Sequence, residues 1–187
     1  MIYLRFSESS ATDNAALSND AKKLLFKLLY DTFGIENAAD LIKIAKGGKP
    51  YIEGADFDFS DSHTGGAVAV AACGQGEKRD DTLCFNVSSK KIGVDIERAS
   101  RKISIASVRR IVNRYFTDNE RDYVDLKAAG AKKRFLEMWT KKESIVKATG
   151  EGLAGISRAD TLNFSGYIET QHFKIGGKNY IISVAGI

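Results

Sequence analysis

The chain has 187 residues, 43% of them hydrophobic and 28% charged, with 17 glycines, one proline and a net charge of +4. This length supports one sizeable core or two small subdomains sharing one, and the composition excludes collagenous, proline-rich and disordered chains. No apolar run reaches the roughly 20 residues that cross a bilayer, and Met1-Ile-Tyr-Leu-Arg-Phe6 carries a charge where a secretory leader would be apolar. A cytoplasmic protein without membrane contact is therefore expected. The basic excess favours an anionic partner, and no zinc-finger, helix-turn-helix or RNP signature points to nucleic acid. Cys73 and Cys84 form no CxxC pair and read as buried thiols.

In chain order, residues 1–6 read as a strand. Leu24, Leu25, Leu28 and Leu29 recur with helical spacing after the cap candidates Ser18 to Asp20, which predicts a helix over 18–33 with Gly34 as its stop. Residues 41–45 look like a strand, and Lys46-Gly-Gly-Lys-Pro50 is a tight loop. Alternation over 57–64 leads into the small-residue strand 65–72, followed by strands at 82–87 and 92–96. Then the texture changes. A basic amphipathic helix with Arg109, Arg110 and Arg114 is expected over 103–115, a second helix over 118–127 after Thr117, and a long one over 132–149 ending at Gly150. The tail, 161–184, returns to strands. Such segregated runs indicate an α+β fold with a boundary near Gly93.

Two stretches carry chemistry. In Gly93-Val-Asp-Ile-Glu97, period-two alternation puts Asp95 and Glu97 on one strand face, about 7 Å apart, with Val94 and Ile96 on the other. Two such carboxylates repel unless a cation sits between them, and hard oxygen ligands suit Mg²⁺. A solvated strand end explains the triplet as well. In the helix, Trp139, Glu143 and Lys147 stand at i, i+4 and i+8 on one face. They read either as a surface ion pair beside a core tryptophan, or as a third carboxylate with a lysine poised for a phosphate.

Gly-Val-Asp-Ile-Glu followed about forty residues later by Trp139-Thr-Lys-Lys-Glu-Ser-Ile-Val-Lys147 resembles the two central motifs of the 4′-phosphopantetheinyl transferases. Gly48-Lys-Pro50 and Phe59-Ser-Asp-Ser-His-Thr64 look like two further motifs of the surfactin-synthetase-activating (Sfp-type) branch, in the same order. The resemblance implies two similar α/β subdomains, residues 1–92 and 93–187, in a pseudo-dimeric fold with the active site in the cleft between them. It implies transfer of the 4′-phosphopantetheine group of coenzyme A to a serine of an apo acyl or peptidyl carrier protein, releasing adenosine 3′,5′-bisphosphate. Mg²⁺, or Mn²⁺ in its place, is the implied cofactor, coenzyme A the co-substrate, and a monomer the expected state.

Carried over residue by residue, Asp95, Glu97 and Glu143 match the metal ligands, and Glu143 is also the candidate base for the serine proton. Lys147 matches the lysine on the cofactor's phosphates. His63, with Ser62 before it, matches the histidine at the 3′-phosphate end, and Lys49 the lysine near the same nucleotide. Glu120, in Phe116-Thr-Asp-Asn-Glu120, resembles the glutamate of a Phe-x-x-x-Glu segment and is a further catalytic candidate, although a glutamate there also suits a helix N-terminus. Lys22 and Lys23 lie where the branch carries basic residues for the adenosine phosphate, and equally on a helix's wet face. The chain departs from the pattern in its short first half and tail, and in Asp61, which adds negative charge beside the histidine motif. For the whole chain the alternative is a non-catalytic relative that holds coenzyme A or a carrier protein without transfer.

Overall fold

Small apolar residues fill every position of Ala67–Cys73, a pattern for a strand covered on both faces. In the computed structural model, which describes residues 1–187 (Leu153 by its backbone only), this strand, β5, lies inside a four-stranded antiparallel sheet. The order is β4-β5-β1-β6, with β1 at Ile2–Glu8, β4 at Asp58–Thr64 and β6 at Leu83–Phe85. One face of the sheet, with Tyr3, Phe59, Val70 and Ala72, packs against helix α1 (Asn14–Phe33) through Leu25, Leu28 and Leu29. This helix starts one turn before the cap expected from sequence. Asp13 is the N-cap, its side chain accepting from the Ala16 amide, and Leu17 and Ala21 bury against Val68, extending the apolar stripe backwards. Gly34 terminates it in the left-handed region at φ 71°, a conformation that suits glycine.

A short helix α2 (Ala38–Leu41) leads to the hairpin of β2 (Ile42–Ile44) and β3 (Pro50–Ile52), whose connection is the Gly47-Gly48 turn. The second half opens with β7 (Ile92–Arg98), the edge strand of a sheet ordered β7-β9-β8, completed by β8 (Tyr167–Ile175) and β9 (Lys178–Gly186). The tail strands begin at Tyr167, later than the expected 161, because Asp160 turns the chain by accepting from the amides of Leu162 and Asn163. Between β7 and β8 run α3 (Ile105–Tyr115), α4 (Asp118–Val124) and α5 (Ala131–Thr149). The predicted helix over 118–127 ends early, at Val124.

The two sheets face each other. Ile2, Leu4, Ala69 and Ala71 of the first meet Val94, Ile96, Ile182 and Val184 of the second in one apolar cluster. The outer face of the second sheet is covered by α5, which gives the layers α1, sheet, sheet, α5. Gly93 makes the last contact close, since a Cβ there would lie 1.9 Å from the Ser144 carbonyl oxygen and 2.5 Å from the Ala148 nitrogen.

β4 and β7 are both sheet edges, and they meet along a seam stitched by side chains. Asp58 accepts from the Ile92 amide at 2.8 Å, Ser60 from Val94 at 3.2 Å and Ser62 from Ile96 at 3.4 Å. Every second residue of one strand thus answers every second amide of the other. The carbonyls on the same edge of β7 receive lysines, Ile92 from Lys49 at 2.8 Å and Val94 from Lys147 at 3.0 Å. An edge otherwise left with unpaired backbone groups is thereby closed.

Candidate active site

α5 lies along β7 because Gly93 admits its backbone, and this brings Lys147 over Asp95. The lysine ammonium reaches the Asp95 Oδ1 at 2.9 Å, and the Ser62 hydroxyl donates to the same oxygen at 2.8 Å. Asp95 and Glu97 project together as period two requires, and both are buried. Glu143, one turn before Lys147, and Trp139, one turn before that, line the same hollow with Asp61, Ser62 and His63. A second hollow of about 300 Å³ adjoins it, sharing Asp61, Glu143 and Lys147, and is closed by the Gly47-Gly48 turn and Gly150.

The carboxylates here are uncomfortable as anions. Burial, then the neighbouring Asp95 charge, lifts the Glu97 carboxyl to about 7, even though Arg101 is ion-paired with it and pulls the other way. Glu143 is raised as well, again by burial and then Asp95, against the opposing pull of Lys147. Two carboxyls pushed towards the neutral form beside the Asp95 charge make, with Asp95, a donor set suited to a hard cation. Among the described residues no three such side chains already converge on a common point, because Asp95 turns to Lys147 and Glu97 to Arg101. Chemically the donors fit a divalent ion.

The other predicted residues fall in different places. His63 is half-buried, bordering the carboxylate hollow and a neighbouring one with Arg98 and Arg101. Ser62 is buried, and its hydroxyl joins Asp95 to the seam. Lys49 reaches the second hollow, but its ammonium is held by Asp58 at 2.5 Å, Ile92 O at 2.8 Å and Ala148 O at 3.3 Å. Lys23 is exposed on α1, pairs with Asp20 and lines neither hollow. Glu120 lines neither hollow and is wholly buried. It accepts from Thr161 N and Oγ1, both at 2.8 Å, completes a capping box with Thr117, and pairs at 2.8 Å with Lys142, itself fully buried. Cys73 is buried, its thiol lifted to about 11 chiefly by burial, whereas Cys84 is half-buried rather than buried. From sequence alone, Asp58, Ser60, Arg101 and Lys142 received no role, although Ser60 and Lys142 lie within the motifs. The period-two run Asp58-x-Ser60-x-Ser62, polar on a face where the neighbouring strand is apolar, was the available signal for the seam.

Fold and site define a mixed α/β protein carrying an acidic, lysine-bearing pocket where two sheets meet. The sequence model of the 4′-phosphopantetheinyl transferase superfamily matches residues 91–183. The chain is 30% identical over 131 residues to the 4′-phosphopantetheinyl transferase gsp of Aneurinibacillus migulanus, covering 70% of this chain and 46% of that protein. It is 31% identical over 126 residues to a 4′-phosphopantetheinyl transferase of Bacillus subtilis, covering 65% and 46%. To the L-aminoadipate-semialdehyde dehydrogenase-phosphopantetheinyl transferase of Schizosaccharomyces pombe it is 29% identical over 160 residues, covering 80% and 60%. This chain belongs to the 4′-phosphopantetheinyl transferase superfamily, as its ordered motifs led one to expect. It spans about half the length of the two bacterial relatives. No helix among the described residues is long and apolar enough to cross a membrane.

Proposed function

We propose that the protein transfers the 4′-phosphopantetheine group of coenzyme A to a serine of an apo acyl or peptidyl carrier protein, releasing adenosine 3′,5′-bisphosphate. The observation that carries this reading is the set of buried Asp95 and Glu97 with half-buried Glu143 beside Lys147, in a hollow open to solvent. Asp95, Glu97 and Glu143 would hold Mg²⁺, or Mn²⁺, which when bound supplies positive charge to the diphosphate. Lys147 contributes its own charge at the phosphate oxygens and stays aligned because Val94 O and Asp95 fix its ammonium. Glu143 accepts the serine proton at its carboxylate, directly or through water. His63, beside Arg98 and Arg101, faces the 3′-phosphate end. Trp139 lines the same hollow as the carboxylates.

In the same reading the chain is two α/β halves, residues 1–92 and 93–187, with the cofactor between them. The sheets support this division, one built from strands within residues 2–85 and the other from strands within 92–186. A protein that merely held coenzyme A would have no use for three carboxylates kept near one another, two of them buried, at an electrostatic cost. The test is direct. Protein, coenzyme A, Mg²⁺ and an apo carrier are mixed and the carrier is weighed by mass spectrometry. A mass gain of one phosphopantetheine, absent without metal, is expected; no gain across several carrier types with folded protein would sink the proposal.

A further inference from the structure

Lys49 occupies the lysine position of the Gly48-Lys-Pro50 motif, yet its geometry is that of a strut. An ammonium has three protons, and here three acceptors surround it: the Asp58 carboxylate at 2.5 Å, Ile92 O at 2.8 Å and Ala148 O at 3.3 Å. Those acceptors belong to three different elements. Asp58 starts β4, Ile92 starts β7, and Ala148 lies in the last turn of α5, where carbonyls lack helical partners. Asp58 closes the circuit by also accepting from the Ile92 amide at 2.8 Å. The side chains of Lys49 and Asp58 are only 14% and 15% exposed, so a phosphate would have to displace a desolvated counter-ion to reach the ammonium.

The contacts around Lys49 repeat the theme. A Cβ on Gly47 would lie 2.0 Å from Gly150 O, so the hairpin turn sits directly on the end of α5. The residue before Ala148 is Lys147, whose ammonium must reach Val94 O and Asp95 across the same short stretch. We infer that Lys49 is a positioning residue: it pins the last turn of α5 to the start of β7 and so holds Lys147 over Asp95, and it does not bind the cofactor's phosphate. It acts on turnover through Lys147.

Two measurements decide this. In hydrogen exchange, Lys49→Met is expected to speed exchange of the amides of Ile92 and residues 148–150 by about tenfold or more, with β1 and β5 unchanged. Unchanged exchange there overturns the inference, whether or not the protein is an enzyme. The kinetic arm rests on the transferase reading and compares coenzyme A with 3′-dephospho-coenzyme A. Lys49→Met is expected to lower kcat by about tenfold with both, leaving the ratio of their KM values as in the wild type. A rise in KM confined to coenzyme A would mean a phosphate contact and overturn the strut. Asp58→Asn serves if Lys49→Met does not fold. By loosening the circuit it should lower kcat, whereas a phosphate-binding Lys49 freed of its competing carboxylate would bind coenzyme A more tightly. Wild-type protein that transfers nothing would remove the transferase reading and leave the exchange result to judge Lys49.

Discussion

At the scale of single residues, the acidic pocket is organised by competition among charges. Lys147 and Arg101 offset part of the repulsion among Asp95, Glu97 and Glu143, and burial prevents water from doing the rest. Glu97 therefore links stability to pH. Its folded pKa, about 7, lies above the ordinary 4.5, so the native state holds the proton more tightly than the unfolded chain. Its contribution is full below about pH 4.5 and is lost as pH rises through 7. Thermal melts in EDTA should accordingly fall between pH 5 and pH 8, by up to about 3 kcal/mol of stability. Glu97→Gln should flatten that fall, and Mg²⁺ should restore stability at pH 8 far more than at pH 5. Asp95→Ala and Lys147→Ala should abolish carrier modification while leaving circular dichroism and cooperative unfolding in place. A variant of either kind that still modifies the carrier at the wild-type rate would remove that residue from the site.

At the scale of elements, α5 contributes residues both to the hollow and to the buried core. Trp139, Glu143 and Lys147 line the hollow from one face of the helix, and Lys142 points away, into the buried pair with Glu120. That pair joins the start of α4 to the 156–161 segment, since Lys142 also donates to Ile156 O at 3.3 Å and to Ala159 O. Removing one partner leaves an uncompensated buried charge, so Glu120→Gln or Lys142→Met alone should cost about 3–5 kcal/mol in urea unfolding. The double variant should recover at least half of the loss. If it unfolds as easily as the sum of the singles, the two charges are not coupled. Gly93→Ala tests the other side of the helix. Its methyl group would meet the Ser144 carbonyl oxygen at 1.9 Å, so α5 must lift from β7, and soluble expression or cooperative melting should be lost. Both elements were legible from sequence as elements. Periodicity placed α1 and α5 to within about a turn; the Asp13 cap is a local contact that the apolar spacing missed, whereas the burial of Leu17 was set by β5, which no local pattern reveals.

At the scale of the whole molecule, the sheets share one apolar cluster, and neither can bury its inner face alone. Residues 1–91 expressed by themselves should therefore show no cooperative thermal transition and should bind a dye that reports exposed apolar surface. A sharp transition would show that this half folds independently. The seam explains why the motifs are spread along the chain. Asp58, Ser60 and Ser62 bond to Ile92, Val94 and Ile96, while Lys49 and Lys147 reach the carbonyls of the same edge. Residues far apart in sequence thus stand at one strand edge. The family, the type of most elements and the shared face of Asp95 and Glu97 were legible in the residues alone, because these follow from motif order and from the periods of strand and helix. Which charged residues face the hollow was settled by packing across the chain. Lys49 and Glu120 read in sequence like Lys147 and Glu143, yet packing turns the first pair to acceptors and counter-ions inside the protein and leaves the second on the hollow's wall. The reason is physical: a side chain's role depends on the partners across the chain that desolvate it, and those are non-local.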